Sequence, residues 1–399
     1  MPVSDDIEKH ILRQVQKQQS WQVKLRRHIH QHPEVSFEEH ATTAFLKDHI
    51  RKMGLKIRPV KCRTGFLAEL KGNGPGQVVA IRADIDALPI TEQTTLPFKS
   101  RNEGCMHACG HDMHMAVIAG TAKVLAGMRN SFPGTVRFIF QPGEEQPPGG
   151  AQPMIDSGAV EDAAMVFGLH VDPILPVGRI SVRDGATMAA VIDFDLIIRG
   201  KTGHAARPHD AVDAIVAAAE VVESLQKIIS REISPGTQAV ITFGKVHGGT
   251  ARNVIAGEVR LFGTARTLSD TLRRKLPPAI RRTAQAVCRA HGARAEMVMV
   301  ADYPVLVNHK KANDILTANF DCLYGKGKVA ETKVTMGGED FARYLKLVPG
   351  AMFRLGVRNR KIGADKPWHA ADFIADEAAL LPGTALLTAA AIDVLTGAG

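Results

Sequence analysis

Three strand-length apolar runs, QVVAIRADI at 77–85, TVRFIFQP at 135–142 and AMVFGLHV at 164–171, alternate with long helical segments in this chain. Helical periodicity covers 7–30, where Ile7, Ile11, Leu12 and Val15 share a face with Trp21 or Leu25. A second helix is expected over 38–53, closed by Gly54, and a third over 113–128, rich in Ala, Met and Val. Parallel neighbours need crossover connections, so this alternation predicts an α/β domain with a mixed, largely parallel sheet flanked by helices. LKIRPV at 55–60 and GFLAEL at 65–70 read as further strands. KGNGPG at 71–76 reads as a hairpin connection. Ligands gather outside the carboxyl ends of strands in open α/β sheets. The loops after these strands carry histidine and glutamate, which predicts a shared site.

The pattern changes near 186. VIDFDLIIRG at 191–200 alternates apolar and polar residues, as a half-buried strand does. A helix at about 210–230, strands at 238–247 and 257–267, a helix at about 270–291 and a strand at 294–301 follow. The order βαββαβ predicts a small ferredoxin-like α+β domain. It is inserted at 186–301 into a first domain formed by 1–185 and 302–399. Two domains suit a chain of 399 residues.

No apolar run approaches the roughly 18–20 residues of a membrane span. The polar, mixed-charge N-terminus lacks the apolar core of a signal peptide, so a cytoplasmic location is expected. A net charge of +9 raises the question of an acidic partner. The basic residues are dispersed and aromatic residues make up only 5%, so nucleic acid is not the expected partner. Five scattered cysteines, an odd number, read as reduced thiols. Only Cys105 and Cys109 lie near other metal-ligand types.

Cys109 and His111 in HACGHD are two residues apart, which in an extended segment directs both side chains to one side. Thiolate and imidazole are both good ligands for zinc and other transition metals. His107 and His114 are further candidates by position, with His114 also fitting a place along the following helix. QPGEEQPPGG at 141–150 follows a buried strand. Its paired glutamates can divide two tasks, one binding metal and its neighbour moving protons, as amide hydrolysis at neutral pH requires. His170 closes a third buried strand, His369 stands in KPWHAADF, and His204 stands in a glycine-flanked loop of the inserted domain.

The chain resembles the aminoacylase, hippurate hydrolase and auxin-conjugate amidohydrolase family of dinuclear metallopeptidases. HQHPEVSFEE at 30–39, RADIDALPI at 82–90, HACGHDMH at 107–114, FQPGEE at 140–145 and GLHVDP at 168–173 carry the resemblance. It continues through GHAARPHDAVDAI at 203–215, ARNVIAGEVRLFGTART at 251–267, GGEDFARYL at 337–345 and WHAADF at 368–373. The resemblance implies two divalent metal ions per subunit, drawn from Zn, Mn, Co or Ni, with Cys109 bridging them. It implies that His111, Glu145, His170 and His369 complete the coordination, with Asp84 and Asp86 behind the ligands. Glu144 becomes the general base, taking a proton from the attacking water and returning it to the leaving amine. His204 becomes an oxyanion donor reaching a partner subunit's site in a homodimer, and Asn253 holds the substrate carboxylate or acyl oxygen. The inserted domain becomes a lid and dimerisation domain, and the substrate an N-acyl amino acid or small peptide. NVIA, GGED, WHAADF and the proline-rich loop depart from the family pattern. None of these removes an expected ligand; they bear on the acyl pocket and so on the substrate. A non-catalytic metal-binding protein on the same fold would lack a ligand or the base, and this chain has both.

Overall fold

The structure is a computed structural model, and it describes residues 2–397. The chain divides into two compact units. The larger comprises Met1–Gly185, Val307–Lys333 and Arg343–Gly399; the smaller comprises Ala186–Leu306 and Val334–Ala342.

The larger unit holds helices α1 (Asp5–Gln31), α2 (His40–Lys52), α3 (His111–Gly127), α4 (Lys310–Tyr324) and α5 (Leu380–Thr396). Its sheet uses β1 (Lys56–Arg58), β2 (Phe66–Lys71), β3 (Val78–Asp84), β4 (Thr135–Gln141), β5 (Ala163–Pro176), β6 (Ile180–Val182), β7 (Val329–Glu331) and β8 (Gly350–Arg358). The strand order is β1-β2-β4-β3-β5-β8-β6-β7. The central run β4-β3-β5-β8 is parallel, while β2 joins β4 antiparallel. The result is a large mixed sheet flanked by helices.

One expected connection is different. The glycine-rich stretch at 71–76 is not a hairpin, because β4 lies between β2 and β3. Gly72 and Asn73 instead donate their amides to the carbonyls of Gly134 and Phe132, at the start of β4. A turn signal reports that the chain bends; it does not report which strand fills the gap.

α3 is buried nearly all round, as its Ala, Met and Val content requires of a central helix. Close approach to its neighbours depends on Gly120, where an added Cβ would stand 2.6 Å from Gln22 Nε2 and 2.9 Å from Thr384 Oγ1. The buried Gln22 amide donates to the Ala116 carbonyl at 3.0 Å and to Thr384 Oγ1 at 2.7 Å, joining α1, α3 and α5. The stretch Glu377–Thr396 is long and apolar enough to cross a membrane, contrary to the expectation that no run approaches such a length. Its apolar window is 83% buried inside the protein, so its hydrophobicity is spent on the core. Asp393 in that helix accepts from Asn319 Nδ2 at 2.9 Å.

The smaller unit has a four-stranded antiparallel sheet in the order 239–248, 258–267, 190–199, 294–303. Two helices, Ala214–Lys227 and Asp270–Ala290, pack on it through a separate apolar core.

Phe138, fully buried on β4, tests the position of that strand inside the sheet. Phe138→Ala is expected to cost about 3–5 kcal/mol of stability in chemical denaturation. A loss below about 1 kcal/mol would contradict a central β4.

Candidate metal centre

The carboxyl ends of β3 and β4 and the N-terminus of α3 meet in the larger unit, with β5 alongside. Cys109, His111 and His170 form one set whose ligand atoms lie within 4.8 Å of one another. Cys109, Glu145 and His369 form a second such set, and His111, Glu144 and Glu145 a third. Cys109 therefore links the His111–His170 pair to the Glu145–His369 pair.

Backbone conformation explains how neighbours in sequence become neighbours in the site. Cys109 and His111 do not sit in an extended segment, as the i, i+2 spacing suggested. Gly110 between them has φ +86°, and His111 opens α3. A Cβ on Gly110 would lie 2.4 Å from Val171 Cγ2, so glycine is required there for conformation and space alike. His170 lies within β5 instead of closing it, because the strand runs on to Pro176. His369 has φ +65°, and its amide donates to the Ala108 carbonyl at 2.9 Å. That bond ties the C-terminal loop to the residue before Cys109. Trp368 adds a second tie, donating Nε1–H to the Val171 carbonyl at 3.0 Å.

The histidine tautomers follow from these contacts. His111 directs Nδ1 at the Asp86 carbonyl, 2.9 Å away, and His170 directs Nδ1 at the Val171 carbonyl, 2.8 Å away. A carbonyl only accepts, so both Nδ1 atoms carry a proton and both Nε2 atoms face the site. His170 Nε2 stands 3.4 Å from Cys109 Sγ. His111 Nε2 is buried without a hydrogen-bond partner among the described residues. It stands 3.7 Å from Asp84 Oδ2 and 3.8 Å from Glu145 Oε1.

The electrostatics favour a cation at this place. Burial pushes the Cys109 thiol well above its ordinary value, and Glu145 and Glu144 push it further. A thiolate here needs a positive partner. Burial pulls His111 down, but Asp84, Asp86 and Glu145 outweigh it and raise its pKa to about 10. The same field that holds a proton on His111 attracts a metal ion. Burial, then Arg354, holds His170 well below the usual range, in the neutral form that ligates. Thiol, imidazole and carboxylate donors, with an unused buried Nε2 among them, fit divalent transition metals.

Asp84 and Asp86 lie behind this set, both fully buried. Burial opposes the Asp84 charge, yet His111, His114 and Arg82 together hold it well below the usual carboxylate range. Arg82 donates to Asp84 Oδ2 at 2.6 Å and to Gln141 Oε1 at 3.0 Å. His114 Nδ1 donates to Asp84 Oδ1 at 2.6 Å, and its Nε2 accepts the Val171 amide at 2.9 Å. Both nitrogens of His114 are thus engaged, which makes it a support for the β5 backbone beside His170. Burial lowers His107 to about 3, and it belongs to none of the ligand sets. His114 takes the place along the helix that its position allowed, behind the ligand set, whereas the support from Arg82, which stands in RADIDALPI, was not expected from the sequence.

His204 and Asn253 belong to the smaller unit, where the structure brings them together. Val254 pairs with His204 across a two-stranded ribbon, and Ala205 donates its amide to the Asn253 carbonyl at 3.0 Å. Both residues are exposed, and His204 Nδ1 accepts the Ala206 amide at 3.1 Å.

Comparison with known proteins agrees with this geometry. Residues 80–393 match the sequence profile of Peptidase family M20/M25/M40. The chain is 43% identical over 290 residues to an N-acyl-L-amino acid amidohydrolase of Geobacillus stearothermophilus, covering 72% of this chain and 78% of that one. It is 39% identical over 375 residues to an N-acetylcysteine deacetylase of Bacillus subtilis, covering 94% and 96%. A crystal structure of a dinuclear metal binding peptidase from Bacillus subtilis superimposes with a TM-score of 0.81 at 36% identity, covering 96% of this chain and 99% of the other. The family match spans most of the chain, and the clustered thiol, imidazole and carboxylate donors suit two metals. The chain belongs to peptidase family M20/M25/M40 and is a metal-dependent hydrolase of amide bonds.

Proposed function

We propose that the protein hydrolyses the amide bond of N-acyl amino acids, with N-acetyl and N-benzoyl compounds or small peptides as the substrate class. The observation that carries the reading is the placement of Glu144 in one set with His111 and Glu145, beside the Cys109–His111–His170 set. Cys109, His111, Glu145, His170 and His369 would hold two divalent ions, with Cys109 the ligand common to both. The bound ions supply Lewis acidity and make water a stronger acid at neutral pH. The donor set suits Zn, Mn, Co or Ni, which differ in affinity for such sites.

Glu144 carries the protons. It accepts one from the water that attacks the acyl carbon and returns it to the amine nitrogen as the C–N bond breaks. The new C–O bond leaves a carboxylic acid and a free amine, so atoms balance without another reactant. His204 donates a hydrogen bond to the oxyanion, reaching the site of a partner subunit in a homodimer. Its exposure on the smaller unit supports that reading. Asn253, beside it on the ribbon, holds the substrate carboxylate or acyl oxygen. Asp84 and Asp86 hold the ligand histidines. The strand order of the smaller unit, with two helices on the sheet, supports a ferredoxin-like fold. The lid and dimerisation role of the segment at 186–301, which lies within the unit's 186–306, belongs to the same proposal.

Glu144→Gln is expected to lower kcat by about 10²–10⁴-fold on N-acetyl or N-benzoyl amino acids while bound metal, measured by mass spectrometry, is unchanged. Wild-type turnover in that variant would remove Glu144 as the base. Cys109→Ala is expected to lose metal and activity together after reconstitution with Mn, Zn, Co or Ni. Full metal stoichiometry with normal turnover would rule out the bridging ligand.

A further inference from the structure

Outside the ligand set, the segment VSFEE at 35–39 reaches the loop that carries Glu144. We infer that Glu39 is a positioning residue for that loop: its buried carboxylate grips the Gly143 amide and so fixes where Glu144 stands. The consequence for catalysis rests on the reading of Glu144 as the base.

Glu39 is fully buried and both of its oxygens are used. Oε1 accepts the Phe37 amide at 2.9 Å and the Gly143 amide at 2.8 Å. Oε2 accepts the Thr64 hydroxyl at 2.6 Å. Capping of the helix that follows does not explain this carboxylate. Glu34 takes the Ala41 and Thr42 amides, at 3.0 and 2.7 Å. Glu39 is directed across the fold to a residue more than a hundred positions later in the chain.

Glu144 is pinned on both sides. On one side Gly143 gives its amide to Glu39, and its carbonyl accepts the Gly150 amide at 3.1 Å, which closes the loop at its base. On the other side Glu145 gives its amide to Asp86 Oδ2 at 2.9 Å, and Ser36 Oγ donates to the same oxygen at 2.7 Å. Ser36, Phe37 and Glu39 thus serve one loop together. Gly143 has φ +61°, and a Cβ there would lie 2.4 Å from Phe37 Cζ. Glycine permits the turn but does not hold it, since it has the widest conformational freedom of any residue. The clasp from Glu39 and the Phe37 ring beneath supply the rigidity. A proton carrier displaced by about 1 Å loses on the order of 10²-fold in rate, so the clasp acts on kcat.

The test compares Glu39→Ala with Glu39→Gln. The glutamine oxygen still accepts both amides, and its NH₂ donates to the Thr64 hydroxyl oxygen. Glu39→Gln is therefore expected to keep kcat within about threefold, whereas Glu39→Ala lowers it about 10–100-fold with KM and metal content unchanged. Hydrogen exchange gives a readout independent of turnover. Amides of 143–145 exchange faster in Glu39→Ala than in wild type or Glu39→Gln, while those of 115–125 are unchanged. Thr64→Val, which removes only the third contact, gives an intermediate result and serves if Glu39→Ala does not fold. Wild-type kcat and wild-type exchange at 143–145 in Glu39→Ala, or a kcat loss that follows lost metal, overturns the inference. Should Glu144→Gln prove fully active while exchange still rises in Glu39→Ala, the clasp stands and the assignment of the base falls.

Discussion

Buried negative charge at the carboxyl ends of the central strands is the constraint around which the larger unit is organised. Asp84, Asp86, Asp112 and Glu39 are all essentially removed from solvent. A carboxylate taken out of water costs several kcal/mol unless cations or donors replace the lost hydration. Each of these four has such partners. Arg82 and His114 serve Asp84, while Arg26 Nε at 2.7 Å and His30 Nδ1 at 2.8 Å serve Asp112. Ser36 and the Glu145 amide serve Asp86, and two amides with one hydroxyl serve Glu39. The partners come from α1, the segment before α2, the residue Thr64 before β2, strand β3, helix α3 and the loop after β4. These elements must arrive together, or the charges destabilise the fold.

The same arrangement that satisfies the charges also prepares the chemistry. Asp112 follows His111 directly and binds α1, so the first turn of α3 is held while the His111 ring is oriented by the Asp86 carbonyl. His114, one turn on, supports the β5 backbone next to His170. The proposed metal ligands therefore stand on elements whose positions are already determined by other bonds. Pre-organisation of this kind lets a site favour charge development without rearranging at the moment of reaction.

Much of this was legible in the residues. Alternating helices and apolar strands pointed to the α/β class, and Cys109, His111, Glu144, Glu145, His170 and His369 were named from motif chemistry and family resemblance. The failures have a common cause. The KGNGPG turn is a true bend, yet which strand pairs with β2 depends on β4, more than sixty residues later. The Cys109–His111 spacing was read as extended, whereas the left-handed Gly110 brings the two together through a turn. The apolar C-terminal helix went unremarked, and its polar side chains Thr384, Thr388 and Asp393 each make a hydrogen bond within the core.

By itself the sequence determined the kinds of donor available and the fold class, because side-chain chemistry and periodicity are local properties, and it indicated the reaction class through its family resemblance. Only the tertiary structure decided which nitrogen of each histidine faces the site, since that follows from carbonyls supplied by the folded backbone. It alone separated His114, with both nitrogens engaged, from the proposed ligands His111 and His170, whose Nε2 atoms face the site. It alone placed Glu39 under Gly143, a contact between residues 104 positions apart. Hydrogen bonds at that separation depend on strand order and register, and neither is written in the composition of any one segment.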